Sequence, residues 1–233
     1  ATDTSAEVQF AVAYGPINGS GSVSLQNSDD ALLASKATYA QYKSILLNPT
    51  DSKFSFENGA GVATDSNSIY VINLNRARYR EKMDAGNWSL NLTGANGTFT
   101  FIDDSGKKFG DTLGKAGRVF KVASGSLNLG TENEATVNTV TSSGDEGFGL
   151  FYPDRGIIVL NPSAIQATVG NVDGGSLVGN EGVAVEAKNH ERLYQAIKAG
   201  GDFQSRRTEN VSTQHFFVRA TNREFNYSNN PTY

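Results

Sequence analysis

Apolar and polar residues alternate over short stretches through most of the chain, the period expected of strands half-buried in a sheet. "VQFAVAYG" (Val8 to Gly15) places Val8, Phe10, Val12 and Tyr14 on one face. "SIYVINL" divides Ile69, Val71 and Asn73 from Tyr70, Ile72 and Leu74. In "NWSLNLTGANGTFTFID", Trp88, Leu90 and Leu92 alternate, then Phe99 and Phe101 alternate on the return, which predicts a hairpin turning at Asn96-Gly97. A second turn pair, Asn58-Gly59 in "KFSFENGAGV", suits type I′ geometry. "GRVFKVASG" predicts another short strand, and "SLNLGTENEATVNTVTSSGDEG" either a polar pair of strands or a long loop. Ile157 to Leu160 is an unbroken apolar run, the mark of a strand covered on both faces. "STQHFFVRATNREFNYS" carries a long strand pattern that bends near Asn222.

Two stretches switch to helical spacing. "SKATYAQYKSILLN" puts Tyr39, Tyr42 and Leu46 on one stripe, widened by Ile45 and Leu47, with Ser35 as cap and Pro49 as stop. "NHERLYQAIKAGG" turns Leu193, Ala196 and Ile197 inward, with Asn189 as cap and Gly200-Gly201 as terminator. No repeat or clean linker divides the chain. The expectation is one α+β domain over residues 1–233, predominantly β, built of antiparallel strands and hairpins with about two short helices.

Composition reinforces this picture. The 233 residues include 25 Gly together with abundant Asn, Ser and Thr, which favour tight turns over helices. Thirteen Phe and nine Tyr require a packed interior. The net charge of −4 argues against nucleic acid or an anionic membrane as partner. Cysteine is absent, which excludes disulfides and thiolate chemistry and fits folding in a reducing cytoplasm. No run approaches the roughly 18 apolar residues of a membrane span. The chain opens at Ala1 with no Met or basic leader, so its natural start is expected to have been removed. Six Asn-x-Ser/Thr matches are what chance provides in so Asn- and Ser-rich a chain.

Candidate chemistry is sparse. The two histidines, His190 and His215, have no third ligand at metal-like spacing. "PINGSGS" does not precede the strand-to-helix elbow a nucleophilic serine needs. Glycan hydrolysis would call on paired carboxylates, for which Asp103-Asp104, Asp145-Glu146 and Asp202 are available. Adjacent acids in Gly/Ser-rich segments are more often solvated turn residues. "DDSGKKFGD" lacks the alternating oxygen ligands of a calcium loop. "NRARYREK" is the basic cluster: on a strand, Arg76, Arg78 and Arg80 would share a face. With Glu81 and Asp84 beside them, ion pairing at a subunit or domain contact is a better reading than phosphate binding. "SRRTEN" reads the same way. No catalytic, cofactor or metal residue is assigned, and the chain is expected not to be an enzyme.

The last twelve residues, "NREFNYSNNPTY", interleave Phe225, Tyr227 and Tyr233 with asparagines. Such an ending predicts burial against this chain's sheet or a neighbouring subunit. Together with "YAQYKSILL", "IYVINLNRARYREKMDAGNWSLNL" and "GFGLFYPDRGIIVLNPSAI", the segment "FQSRRTENVSTQHFFVRATNREFNYSNNPTY" resembles, in the same order, a virion structural protein of contractile-tailed, T-even-like marine and cyanobacterial bacteriophages. The four blocks run from Tyr39 to Tyr233. The resemblance implies a tail or baseplate component, assembled in the host bacterial cytoplasm, that contacts other phage structural proteins and copies of itself. It implies no catalytic residue. It also implies further β-rich chain after Tyr233, which makes that residue a boundary inside or beside an assembly. The alternative is a β-rich receptor- or glycan-binding module of a tail fibre or spike. A glycan reader should expose aromatics beside Asp or Asn in a groove; an assembly protein should expose them on broad contacts.

Overall fold

The computed structural model describes residues 7–18, 36–105, 112–127, 135–178, 188–217 and 219. In chain order the elements are β1 (Phe10–Pro16), α1 (Lys36–Leu46), β2 (Phe54–Glu57), β3 (Ala63–Ser66), β4 (Ser68–Leu74), α2 (Arg76–Tyr79), β5 (Lys82–Gly94) and β6 (Gly97–Asp103). They continue with β7 (Thr112–Gly114), β8 (Gly117–Leu127), β9 (Ala135–Thr139), β10 (Gly149–Tyr152), β11 (Ile157–Leu160), α3 (Pro162–Val169), α4 (Asn189–Gly200) and β12 (Phe203–Thr208). The fold is α+β and mostly antiparallel β, as the sequence pattern predicts. Two short helices, α2 and α3, add to the two expected.

One curled antiparallel sheet runs in the order β1-β4-β11-β10-β8-β6-β5-β12, with β7 and β9 attached to β8. Strands β4 and β11 lie side by side near its β1 edge and are buried on both faces. Tyr70, Ile72, Ile158 and Leu160 enter one core with Trp88, Leu90, Leu92, Phe101 and Phe151, covered by Ile165 and Val169 of α3 and by Leu193 and Ile197 of α4. Ile69, Val71, Ile157 and Val159 enter a second core with Tyr39 and Leu46 of α1 and Phe54 and Phe56 of β2. Tyr39 ties that layer together: its hydroxyl donates to Ser66 O and accepts from Phe54 N–H, both at 2.9 Å. A small third cluster, Ile102, Ala123, Val137 and Val140, fills the β6–β8–β9 corner.

The β5–β6 hairpin forms with Leu90 opposite Phe101 and Leu92 opposite Phe99. Its two-residue loop is Ala95-Asn96, one position earlier than expected, because Gly94 pairs with Gly97. Contacts at the tip account for the shift. Ala95 N–H donates to Asn171 O (2.9 Å) and Asn96 N–H to Val169 O (3.0 Å), so the turn is docked on the end of α3. Asn58-Gly59 is likewise not a two-residue turn. Glu57 pairs with Ala63 across a five-residue loop, in which Asn58 Oδ1 accepts from the Ala60 and Val62 N–H groups at 3.0 Å each.

Helix α4 ends at Gly201, whose φ of +74° suits glycine. Its first residue is Asn189, not the cap expected there, and Asn189 Oδ1 accepts instead from Arg192 Nη1 at 2.8 Å. Gly200 lies so close to the Asn91 backbone that a side chain would collide with it, which lets α4 lie against β5. The same helix also touches β1, and the Phe10 and Phe203 rings meet edge-on at 5.1 Å. The first and last strands of the sheet order thus face each other across α4. Residues 212–217, the start of the long strand predicted from Ser212 to Ser228, lie outside any strand or helix; all that follows except residue 219 lies outside the described residues. Ser35 and the bend near Asn222 lie outside the described residues.

Phe151 packs on Trp88 at 5.1 Å between ring centroids, at the centre of the first core. Phe151→Ala is expected to cost about 3–5 kcal/mol of unfolding free energy in urea titration. A loss below about 1 kcal/mol would mean this core does not carry the fold.

Candidate functional site

The basic cluster lies on α2 rather than on a strand. Asn75 follows β4 and caps the helix, its Oδ1 accepting from Ala77 N–H at 3.1 Å. The three arginines consequently point to different partners. Arg76 lies over the Tyr79 ring, 4.9 Å from its centroid, and donates to Asp154 O at 3.0 Å. Arg78 pairs with Glu7. Arg80, at a φ of +55°, reaches Glu209 at 3.6 Å, and Arg207 reaches the same carboxylate at 2.9 Å. Backbone bonds follow the same plan. Asn75 donates to Gln9 O through its N–H and to Val8 O through its amide, and Glu81 accepts from Asn210 N–H. Helix α2 therefore clasps the chain entering β1 to the chain leaving β12. Exposed ion pairs of this kind contribute under about 1 kcal/mol each, so they fix geometry more than stability.

The carboxylates are occupied by local structure. Asp103 is fully buried; Oδ2 accepts from Gly86 N–H (2.7 Å) and Oδ1 from Ser105 N–H (2.9 Å). Asp104 Oδ1 accepts from Lys121 N–H at 2.9 Å, and burial raises its pKa above the usual carboxylate value. Asp145 sits in a turn at a φ of +58°. Glu146 Oε2 accepts from the buried Asn161 amide at 3.0 Å, and Asp202 Oδ2 from Gln204 at 2.8 Å. His190 is exposed in the first turn of α4, and His215 is exposed beyond β12. Among the described residues no three Asp, Glu or His side chains converge on a metal-sized site.

Two apolar features stand out instead. The first is a groove of about 480 Å³ between β1 and the outer side of α4. Val8, Gln9, Phe10 and Val12 form one wall, and His190, Glu191 and Tyr194 the other. Val8 is 69% exposed and Tyr194 49%. The second is the segment that follows Asn210, the arm, in which Val211, Phe216 and Phe217 are 88%, 78% and 98% exposed. The alternation of Val8, Phe10 and Val12 is legible in the sequence. Its pairing with Tyr194 is not, because Tyr194 falls on the polar side of α4. Phe225, Tyr227 and Tyr233 lie outside the described residues.

The chain matches no family model, no curated protein and no solved structure. The resemblance to phage virion proteins stands on the quoted segments alone.

Because burial raises the Asp104 pKa in the folded state, its ionisation opposes folding: the contribution is favourable at low pH and lost as pH rises through the folded value. Asp104→Asn keeps an oxygen to accept from Lys121 N–H. The variant is expected to be more stable than the parent at pH 7, with the difference closing as pH falls toward about 4. Denaturant titrations at both pH values check this, and a variant less stable at pH 7 would show that the carboxylate is needed in its charged form.

Proposed function

We propose that the chain is a non-enzymatic structural component of a tailed bacteriophage particle, in the tail or baseplate, that acts through protein–protein contacts. The observation that carries this reading is the arm, with Val211, Phe216 and Phe217 held out of the core. Leaving a phenylalanine in water forgoes roughly 1.5–3 kcal/mol of burial, and an exposed apolar cluster is normally an interaction site. The commitment of the buried acids to backbone donors supports a scaffold role over hydrolysis. The resemblance of the four sequence blocks supplies the setting: a virion assembled in bacterial cytoplasm from other phage structural proteins and copies of this chain, with no nucleic acid or membrane as partner. The glycan-binding alternative is less well supported. Among the described residues the groove is lined by Val8, Gln9, Phe10 and Val12 on one side and His190, Glu191 and Tyr194 on the other, none of them Asp or Asn.

Sedimentation velocity of the parent and of a Phe216→Ser/Phe217→Ser double variant tests this reading. The parent is expected to associate as concentration rises and the variant to remain monomeric. Their unfolding free energies should agree within about 0.5 kcal/mol, because neither ring is packed. A parent that stays monomeric at every concentration, or that turns over peptidoglycan or host surface polysaccharide, would contradict the proposal.

A further inference from the structure

We propose that the groove between β1 and α4 receives residues 211–217 of a second copy of this chain, so that each copy is both donor and acceptor. The inference rests on the assembly reading above and names the partner.

The acceptor is an unfinished edge. Among the described strands, β1 pairs only with β4; α4 and Phe203 of β12 approach its other side without strand pairing, so its backbone there can accept an added strand only beside them, along the groove. The groove beside that edge is apolar along β1 and has the size of a site for a few side chains, not for a whole domain. The donor has the matching character. "VSTQHFF" alternates Val211, Thr213, His215 and Phe217 against Ser212, Gln214 and Phe216, a pattern suited to an added strand. It lies outside any strand or helix, so its backbone is not part of the chain's own sheet.

Charge agrees as well. Glu191 lines the groove, whereas residues 211–219 contain Arg219 and no acid. Residues 211–217 are not among the described residues that line the groove. The root of the arm is anchored just after α2 through Glu209 to Arg80 and Asn210 to Glu81. An exchange in which each copy's arm fills another copy's groove closes as a two-fold dimer when it is reciprocal between two copies, and builds a ring or filament when it runs head to tail.

The absence of cysteine makes the test clean. His190→Cys in the groove and Gln214→Cys on the arm leave Tyr194, Phe216 and Phe217 in place. The two single variants are mixed and treated with a short bismaleimide, and the product is read by denaturing gel and mass spectrometry. Expected is a covalent pair that forms only when both variants are present, rises with concentration and falls about tenfold on adding Tyr194→Glu to the groove chain. That fall corresponds to about 1.4 kcal/mol of lost affinity. A yield no higher than that from His190→Cys mixed with Leu113→Cys, an exposed position on β7, would overturn the inference. So would efficient linkage within a single His190→Cys/Gln214→Cys chain at high dilution, which would place the arm in its own groove. If the parent sediments as an oligomer without the mixed link, the arm–groove inference falls while the assembly reading stands; a monomeric parent without the link overturns both.

Discussion

Ile157, Ile158, Val159 and Leu160 are all buried, and successive side chains leave opposite faces of the sheet. A strand of this kind cannot lie on a surface, because two of its aliphatic side chains would face water whichever way it turned. Burying each stabilises the fold by roughly 1.5–3 kcal/mol, so both faces near β11 must be covered. The rest of the architecture follows from that demand. On one side α1 and the β2–β3 hairpin supply Tyr39, Leu46, Phe54 and Phe56. On the other, the sheet curls until β1 and β12 face each other, and α3 and α4 close the interior.

This arrangement decides the fate of the polar residues. Near the core, the carboxylates of Asp103 and Asp104 satisfy backbone N–H groups that would otherwise be unpaired. At the opening between the sheet edges, Arg78 of α2 holds Glu7, and Arg80, just after α2, and Arg207 hold Glu209. Apolar surface among the described residues gathers at the periphery: Val8 before β1, Tyr194 of α4 and the arm.

Much of the fold was legible because its signals are local. The alternation through Trp88 to Phe101, the four-residue apolar run of β11 and the Leu193–Ala196–Ile197 stripe of α4 each declare their element within a few residues. Helix α2 was hidden because Asn75 to Tyr79 continues the apparent alternation of β4, and the Asn75 cap is too short a signal to oppose it. Helix α3 carries an Asn161 cap and Pro162 in its first turn, yet at eight residues its periodicity is weak. The turn at Ala95-Asn96 depends on α3, far along the chain. The pattern over 211–217 is that of a strand, but a strand also needs a partner, and among the described residues none pairs with it. The groove was illegible for the same reason: its walls are some 180 residues apart in sequence, and only the curl of the sheet brings them together.

The central claim is that the arm is an association element. Hydrogen–deuterium exchange, compared between dilute and concentrated solutions of the 233-residue chain, measures it most directly. The account predicts rapid exchange of the amides of residues 211–217 in dilute solution and protection of that segment, together with the free side of β1, at high concentration. Exchange of the arm that stays rapid at every concentration would contradict it, as would protection that is already complete when the chain is dilute.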